Sequence, residues 1–333
     1  MAIYNIDLKK YLTLKAIARL IERRKKYQSY IRKTVFTRSQ QHPLPVIGLD
    51  EITRVIQNVA VVRRGTAAVP MKHGSRKIEY IEPQGVDVSD FITAKDINDM
   101  KLMSTQNIQA LVNGRLDYML ETVQRTTGAL CAQAIAGKIS YPMVADGANE
   151  TYDVDFGDTV KLAAADITLL TSSSTIKDVY LLLDAMHSKL EDSNWGSDDV
   201  VVMAGKDAYA MILGIAETKS SKQNVINVKV TKGSIEIGGY TIIRNKKTYM
   251  DRTGLKKEVA DNVLCMIDLE APHTLFYCAI DDIDANMVAA PFWSSPGETR
   301  RNPSGIEMLG KSKPLPAPVV KAICWTDPVV SVV

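Results

Sequence analysis

The sequence predicts an α+β protein in which extended appendages and one long helix frame an α/β block. Three observations carry this reading. Residues 94–137 hold a helical apolar repeat far longer than an average helix. Residues 50–92 are rich in Val, Ile and Thr but have few residues able to form a core of their own. Between about residues 175 and 270, helix-like and strand-like segments are interleaved, as an α/β block requires.

The 333 residues suit one elaborated domain or two, and 46% hydrophobic with 24% charged residues is ordinary for a chain with a real core. No run approaches the roughly 18 apolar residues of a membrane span. The start, MAIYNIDLKKYL, has no signal-peptide core. Cys131, Cys265, Cys278 and Cys324 stand alone without a CxxC pair, which argues against zinc or a disulfide framework and suits a reducing cytoplasm.

The net charge of +3 conceals an asymmetry. Residues 1–38 carry eleven Lys and Arg against Asp7 and Glu22, a balance of 11 − 2 = +9, so the rest carries 3 − 9 = −6. From Asp7 to about Arg38 apolar residues recur every three or four positions between the cations, which predicts an amphipathic, cationic helix. Its cations suit a solvated face, a nucleic-acid contact, a membrane-surface helix or docking to an acidic partner. "QHPLPVIG" (41–48) follows as a linker. "ITRVIQNVAVVRRG" and "RKIEYIEPQGVDVSDFI" then predict a long two-stranded excursion with a turn at "KHGS" (72–75).

Leu116, Leu120, Val123, Thr127, Leu130 and Ala134 mark one face of the long helix. Continuous from Asp96 to Gly137, it would run roughly 60 Å at about 1.5 Å per residue. Gly114 and Gly128 are candidate bends and Gly137 is the stop. "KISYPMVADGANETYDVDFG" predicts a hairpin turning at Asp146-Gly147, residues 175–192 a helix, and "DDVVVMAGKDAYAMILGIAE" a buried strand, a turn and a helix. "SIEIGGYTIIRN" and "NVLCMIDL" add strands. The closing "GKSKPLPAPVVKAICWTDPVVSVV" predicts a proline-punctuated strand pair.

Two segments imitate phosphate chemistry. Asp155-Phe156-Gly157 spells the magnesium-holding motif of protein kinases, but no glycine-rich loop accompanies it and none of His42, His73, His187 or His273 is followed by Arg-Asp. Tyr152, Val154 and Phe156 alternate with Asp153 and Asp155, which is the pattern of a half-exposed strand. "VVVMAGKDAYAM" has a phosphate loop's strand–Gly-Lys–helix order. However, Val200 stands where its first glycine belongs and Asp207 replaces the Ser or Thr. Asp207 is expected to cap a helix instead. No nucleophile elbow, HExxH or GxGxxG occurs, so neither an enzyme nor a cofactor is expected.

The order of parts resembles the major capsid protein of tailed bacteriophages, in the lambda-type E family with the Hong Kong 97 fold. "RRGTAAVPMKHGSRKIEYIEPQGVDVSDFI" is similar to that family's loop between arm and spine. "LDYMLETVQRTTGALCAQAIAGKISY" is similar to its spine helix, "YDVDFG" to the short strand after it, and "SKPLPAPVVKAICWTDPVVSVV" to its closing segment. The chain departs from the family in its more basic arm and in a longer closing region containing "GETRRNPSGIEMLG".

The resemblance implies a structural protein whose copies form hexamers and pentamers that close into an icosahedral shell around the phage genome. It implies an N-terminal arm (1–45), an extended loop (46–92), a peripheral domain built on the spine helix (93–160 and 289–333) and an axial domain (161–288). Arg19, Arg23, Arg24, Lys25 and Lys26 of the arm would contact neighbours. So would Arg63, Arg64, Lys72, Arg76 and Lys77 of the loop. Leu116, Leu120, Val123 and Leu130 would form the spine-helix core. Implied partners are further copies, scaffold, portal and decoration proteins, and packaged DNA held without sequence specificity, with no membrane. The place is the virion, assembled in the bacterial host's cytoplasm. The rival reading is a nucleic-acid-binding protein using the basic N-terminal helix, as a monomer or dimer with steeply salt-dependent binding.

Overall fold

The strand Val200–Ala204 shows how the chain comes to have two cores back to back. Val201 and Met203 are buried in one apolar cluster, Val202 and Ala204 in another. Leu264–Asp268 divides the same way, with Cys265 and Ile267 in the first cluster and Leu264 and Met266 in the second. Ile323 and Cys324 follow suit. Successive side chains of a strand point to opposite faces, so a sheet covered on both sides reads as an unbroken apolar run. "VVVMA" and "LCMID" are such runs.

The computed structural model describes residues 29–52, 76–100, 105–145, 148–163, 167, 169–218, 226–251 and 254–329. Its largest sheet has seven strands. In spatial order they are Val160–Lys161, Ile323–Thr326, Leu264–Asp268, Val200–Ala204, Tyr240–Arg244, Ser234–Ile237 and Val228–Thr231. The helices Ile176–Asp192 and Lys206–Thr218 cover the second face with Val179, Leu183, Met186, Ile212 and Ile215. The first of these helices starts on a capping box in which Thr175 and Asp178 satisfy each other's backbone N–H.

The first face receives the end of the long helix, through Leu130, Cys131, Ala134 and Ile135. Trp325 Nε1 donates to the Ile135 carbonyl at 3.2 Å and ties the helix end to the sheet. The long helix is not continuous from Asp96. A short helix, Ala94–Asp99, opens on its own Thr93–Asp96 capping box, and the spine proper is Thr105–Ala134. Gly114 and Gly128 lie inside it without ending it. Its earlier half packs Ile108, Val112, Leu116, Met119, Leu120 and Val123 onto a third cluster containing Ile92, Ile306 and Met308. Those last residues belong to a four-stranded sheet of Val86–Thr93, Trp293–Ser294, Glu298–Arg301 and Ser304–Ser312. One helix therefore serves two cores.

The helix ends as the backbone dictates. Gly137 has φ +90° and Gly157 has φ +93°, a region costly for residues with a Cβ. A Cβ on Gly137 would lie 2.5 Å from the Gly157 carbonyl oxygen, and Phe156 N–H donates to the Gly137 carbonyl at 2.8 Å. The kinase-like letters are thus the close approach of two glycines. Asp155 is exposed, its Oδ1 accepting from Gly157 N–H at 2.8 Å, while Phe156 packs against the first core. The strands Lys138–Ala145 and Ala148–Asp155 pair antiparallel. Their turn, 146–147, lies outside the described residues, as does the "KHGS" turn.

Five expectations require correction. The arm is not one helix to Arg38: a five-residue helix, Tyr30–Thr34, gives way to the strand Arg38–His42, which runs parallel to Thr274–Cys278. Only the middle of the proposed linker, residues 43–46, lies outside strands: Gln41 and His42 end the strand Arg38–His42, and Ile47 and Gly48 open Ile47–Ile52, which pairs with Arg76–Ile81. The stretch 76–92 is two strands in two sheets, parted at Glu82-Pro83-Gln84-Gly85. Asp207 lies inside the first turn of the helix Lys206–Thr218 rather than capping it, and the N–H groups of Asp207 and Ala208 both donate to the Asp261 carbonyl (2.8 and 2.9 Å). Gly205 sits where a Cβ would overlap the Ala260 carbonyl. The amides of Gly205, Asp207 and Ala208, which a phosphate loop would offer a ligand, already donate to the Val263 and Asp261 carbonyls.

Residues 289–333, expected with the spine helix, divide. The part up to Ser312 lies in the four-stranded sheet, whereas Ile323–Thr326 joins the seven-stranded one.

The arm's described part belongs to the subunit's own core: Ile31, Val35 and Phe36 are all buried. Burying three such side chains is worth roughly 5–9 kcal/mol at about 1.5–3 each, comparable with a domain's whole stability of about 5–15. Deleting residues 1–28 is predicted to leave the melting temperature within a few degrees of the full chain. Deleting 1–38 is predicted to give insoluble or unfolded protein. Circular dichroism of the two truncations checks this, and equal melting of both would remove the arm from the core.

Candidate subunit-assembly surface

Among the described residues, the strand Val86–Thr93 has a partner on one side only. Ser304–Ser312 lies antiparallel to it, Leu309 opposite Ser89 and Glu307 opposite Phe91. Leu309 directs its own backbone the other way: its N–H donates to Ser295 Oγ and its carbonyl accepts from Ser295 N–H, both 2.9 Å. In an antiparallel pair the two residues either exchange both bonds or neither. Ser89 therefore points its N–H and carbonyl out of the sheet, in one row with Asp87, Phe91 and Thr93.

Side chains close one end of that row. Phe91 N–H donates to Asp90 Oδ1 at 2.8 Å and its carbonyl accepts from Arg115 at 3.4 Å. Thr93 N–H donates to Asp96 at 3.1 Å. Arg115 also pairs with Asp90 (2.9 Å) and Asp96 (3.6 Å), and the Thr93 bonds hold the Asp96 carboxyl below its usual range. At the other end, among the described residues, no hydrogen bond covers the backbone of Asp87 or Ser89. An open strand edge is a template for another chain.

A groove of about 580 Å³ runs between this edge and the spine helix, lined by Val88, Ser89, Leu111, Gly114, Tyr118 and Met119 among others. Tyr118 is 73% exposed there. Past Val88 the groove meets a second hollow of about 490 Å³ against Tyr141, Met143, Tyr152 and Lys313. Burial pushes the Tyr152 phenol up to about 12, so it stays a neutral donor. Lys313 is 4% exposed and bonds Asp281 on the rim at 2.8 Å. Where the hollows meet, burial raises the Asp87 carboxyl against the pull of Lys311. Lys311 bonds Asp282 at 2.8 Å and thereby lowers that carboxyl. Such a surface is suited to binding by shape and strand edge, and among the described residues no catalytic pair lines it. Among the described residues, no His, Cys, Asp and Glu group could hold a metal ion, and no helix is long and apolar enough to cross a membrane.

The sequence-selected residues divide sharply. Leu116, Leu120, Val123 and Leu130 are all buried, the first three in the spine's contact with the four-stranded sheet and Leu130 in the core beyond it. Arg19, Arg23, Arg24, Lys25, Lys26, Arg63, Arg64 and Lys72 lie outside the described residues. Arg76 and Lys77 open a strand, opposite Ile52 and Glu51. The free edge at 87–89 was missed because 76–92 read as one strand. Pro83 and Gly85 were the signal that could have separated it.

The chain matches the family described as "Phage major capsid protein E" over residues 13–326. It belongs to that family. Members are structural proteins of the virion that self-assemble into the phage shell, and the fold is the Hong Kong 97-like capsid fold. A prophage capsid protein from E. coli CFT073 superposes with TM-score 0.63 at 13% identity, covering 95% of this chain and 98% of that one. The capsid subunit of cyanophage A-1(L) superposes with TM-score 0.51 at 11% identity, covering 93% and 95%. A comparison with curated proteins finds no match.

The direction assigned to Ser89 can be checked on the unassembled subunit. Ser89→Pro removes an outward N–H and is predicted to cost no more than about 1 kcal/mol, since edge positions accept proline. Val88→Pro removes a bond to Gly310 and should cost about 3 kcal/mol or more. Urea unfolding of both variants reads the difference, and equal losses would place Ser89 inside the ladder.

Proposed function

We propose that this capsid protein assembles as hexamers and pentamers of one chain, which close into an icosahedral shell around the phage genome. The observation that carries the proposal is the pairing of two unfinished elements. Among the described residues the ribbon Ile47–Ile52 with Arg76–Ile81, its base seated on the first core through Ile47 and Ile81, pairs with no further strand, and the open edge at Asp87–Ser89 borders an apolar groove. Two-stranded ribbons are marginal alone, and open edges seek a strand. A neighbouring copy satisfies both.

In this reading the extended loop (46–92) reaches a neighbour through residues 53–75. Their Val-rich run ends in Arg63-Arg64, suited to the carboxylate of Asp87 at the groove. The arm before Ser29 carries Arg19, Arg23, Arg24, Lys25 and Lys26 to an acidic neighbour, the body's balance of −6 supplying the attraction. Residues 93–160 with 289–322 form the peripheral domain. Residues 161–288 with the closing strand Ile323–Thr326 form the axial domain. Packaged DNA is held by charge without base readout. Scaffold, portal and decoration proteins are the remaining partners, and assembly takes place in the host cytoplasm.

Electron microscopy of the purified full chain tests the proposal. Rings, sheets or closed shells are the expected outcome. A monodisperse monomer or dimer that binds DNA with a steep loss on adding salt would support the nucleic-acid reading and overturn this one.

A further inference from the structure

A second strand edge is open among the described residues. The strand Ala148–Asp155 pairs there only with Lys138–Ala145. Phe156 N–H donates to the Gly137 carbonyl, and bonded and unbonded pairs alternate along an antiparallel ladder. Val154 and Tyr152 are therefore the next residues bonded to the partner strand. Pro142, which has no N–H, stands opposite Thr151, as an unbonded pair allows. Thr151, Asp153 and Asp155 thus turn their N–H and carbonyl groups away from the hairpin. Among the described residues no hydrogen bond covers the backbone of Thr151 or Asp153.

A hollow of about 380 Å³ follows this edge, lined by Thr151, Asp153 and Asp155 and by Tyr80, Glu82 and Gln84 among others. Asp153 and Asp155, two residues apart, share a face of their strand. Glu82, Asp153 and Asp155 are exposed, and among the described residues no ion pair holds any of them. No described cation lines the hollow, and Lys138, opposite Asp155, makes no ion pair with it. Tyr80 is 71% exposed. One surface therefore offers unpaired backbone, negative charge and a bare aromatic ring.

The arm holds the complement. Arg23, Arg24, Lys25 and Lys26 are consecutive, and no acidic residue occurs between Glu22 and Asp50. The segment 53–75 instead spaces its cations apart, at Arg54, Arg63-Arg64 and Lys72. We propose that residues 23–26 of one copy lie along the 151–155 edge of the next. Their cations face Glu82, Asp153 and Asp155, and a guanidinium covers the Tyr80 ring. This rests on the shell-forming reading and names the surface that receives the arm within it. A chain added to an open edge gains backbone hydrogen bonds, and a guanidinium over an aromatic face adds attraction. The opposed charges set encounter rate and register. Donor and acceptor surfaces differ, so the contact is head-to-tail. Such contacts generate rings when the rotation between copies closes.

Paired cysteines test the contact, since Cys131, Cys265, Cys278 and Cys324 are all buried. A full-length variant carrying Lys25→Cys and Asp153→Cys is assembled and mildly oxidised, with each single variant as control. A disulfide forms only where the two Cα atoms come within about 7 Å. A denaturing gel should show linked chains from dimers upward in the paired variant and not in the controls. Charge reversal gives an independent reading. Glu82→Lys with Asp153→Lys should lose about tenfold or more in shell yield by sedimentation, and adding Arg23→Glu and Lys25→Glu should restore it to within about threefold of the parent. Melting temperatures should stay near the parent's, because Glu82 and Asp153 are exposed. Parent shells whose paired variant gives no linked chains, or no recovery in the fourfold variant, would overturn the contact and leave the shell-forming reading intact. A link closed within single chains would put the arm on its own copy and also overturn it. So would normal assembly of Arg23→Glu with Lys25→Glu that loses DNA retention, which would assign the arm to nucleic acid. A parent that forms no shell would sink both readings.

Discussion

The subunit depends on one constraint: the central strands of the seven-stranded sheet must be apolar on both faces. Val201, Met203, Cys265, Ile267 and Ile323 on one side are matched by Val202, Ala204, Leu264, Met266 and Cys324 on the other. The second face is closed by helices that follow their strands locally. The first is closed by distant pieces, namely the arm's Ile31, Val35 and Phe36, the spine's Leu130 to Ile135, and the strands around Leu275 and Leu315. A face built from such remote segments cannot form until most of the chain is in place. That ties the appendages to the fold of the body.

The spine carries this dependence outward. Its earlier half is buried on the four-stranded sheet and its later half on the first face of the seven-stranded one. Because the helix is stiff, the open edge at Asp87–Ser89 holds a fixed position relative to the sheet more than half a helix length away. Assembly into a closed shell needs such fixed angles between contact surfaces. Elements with a core of their own are complete in one copy, whereas the free edge and the part of the ribbon beyond its buried base at Ile47 and Ile81 are not. The division between fold and assembly therefore follows which backbone rows are already paired.

How much of this was legible varies with the physics. Period and burial are local signals, so the spine face, the helix at 176–192 and the buried strands could be read directly. The split of 76–92 hung on Pro83 and Gly85, whose turn signal was weaker than the Val and Ile runs around it. The strand Arg38–His42 could not be read, because its partner Thr274–Cys278 lies more than two hundred residues away and its own side chains are polar and mostly exposed. Asp155-Phe156-Gly157 could be dismissed as a metal motif from the missing companions. Its positive role required seeing Gly137 against Gly157. The direction of the Ser89 backbone, on which the assembly surface turns, depends on Ser295, which no local pattern announces.

Amide hydrogen exchange compared between free subunits and assembled shells tests the central claim most directly. The amides of Val201–Ala204 and Cys265–Ile267 should be protected in both states, because the two-faced sheet belongs to one copy. Those of Asp87 and Ser89, together with the ribbon at 47–52 and 76–81, should exchange fast in the free subunit and slow by about tenfold or more in the shell. Sheet amides that gain protection only on assembly, or edge amides that exchange equally fast in both states, would contradict the account.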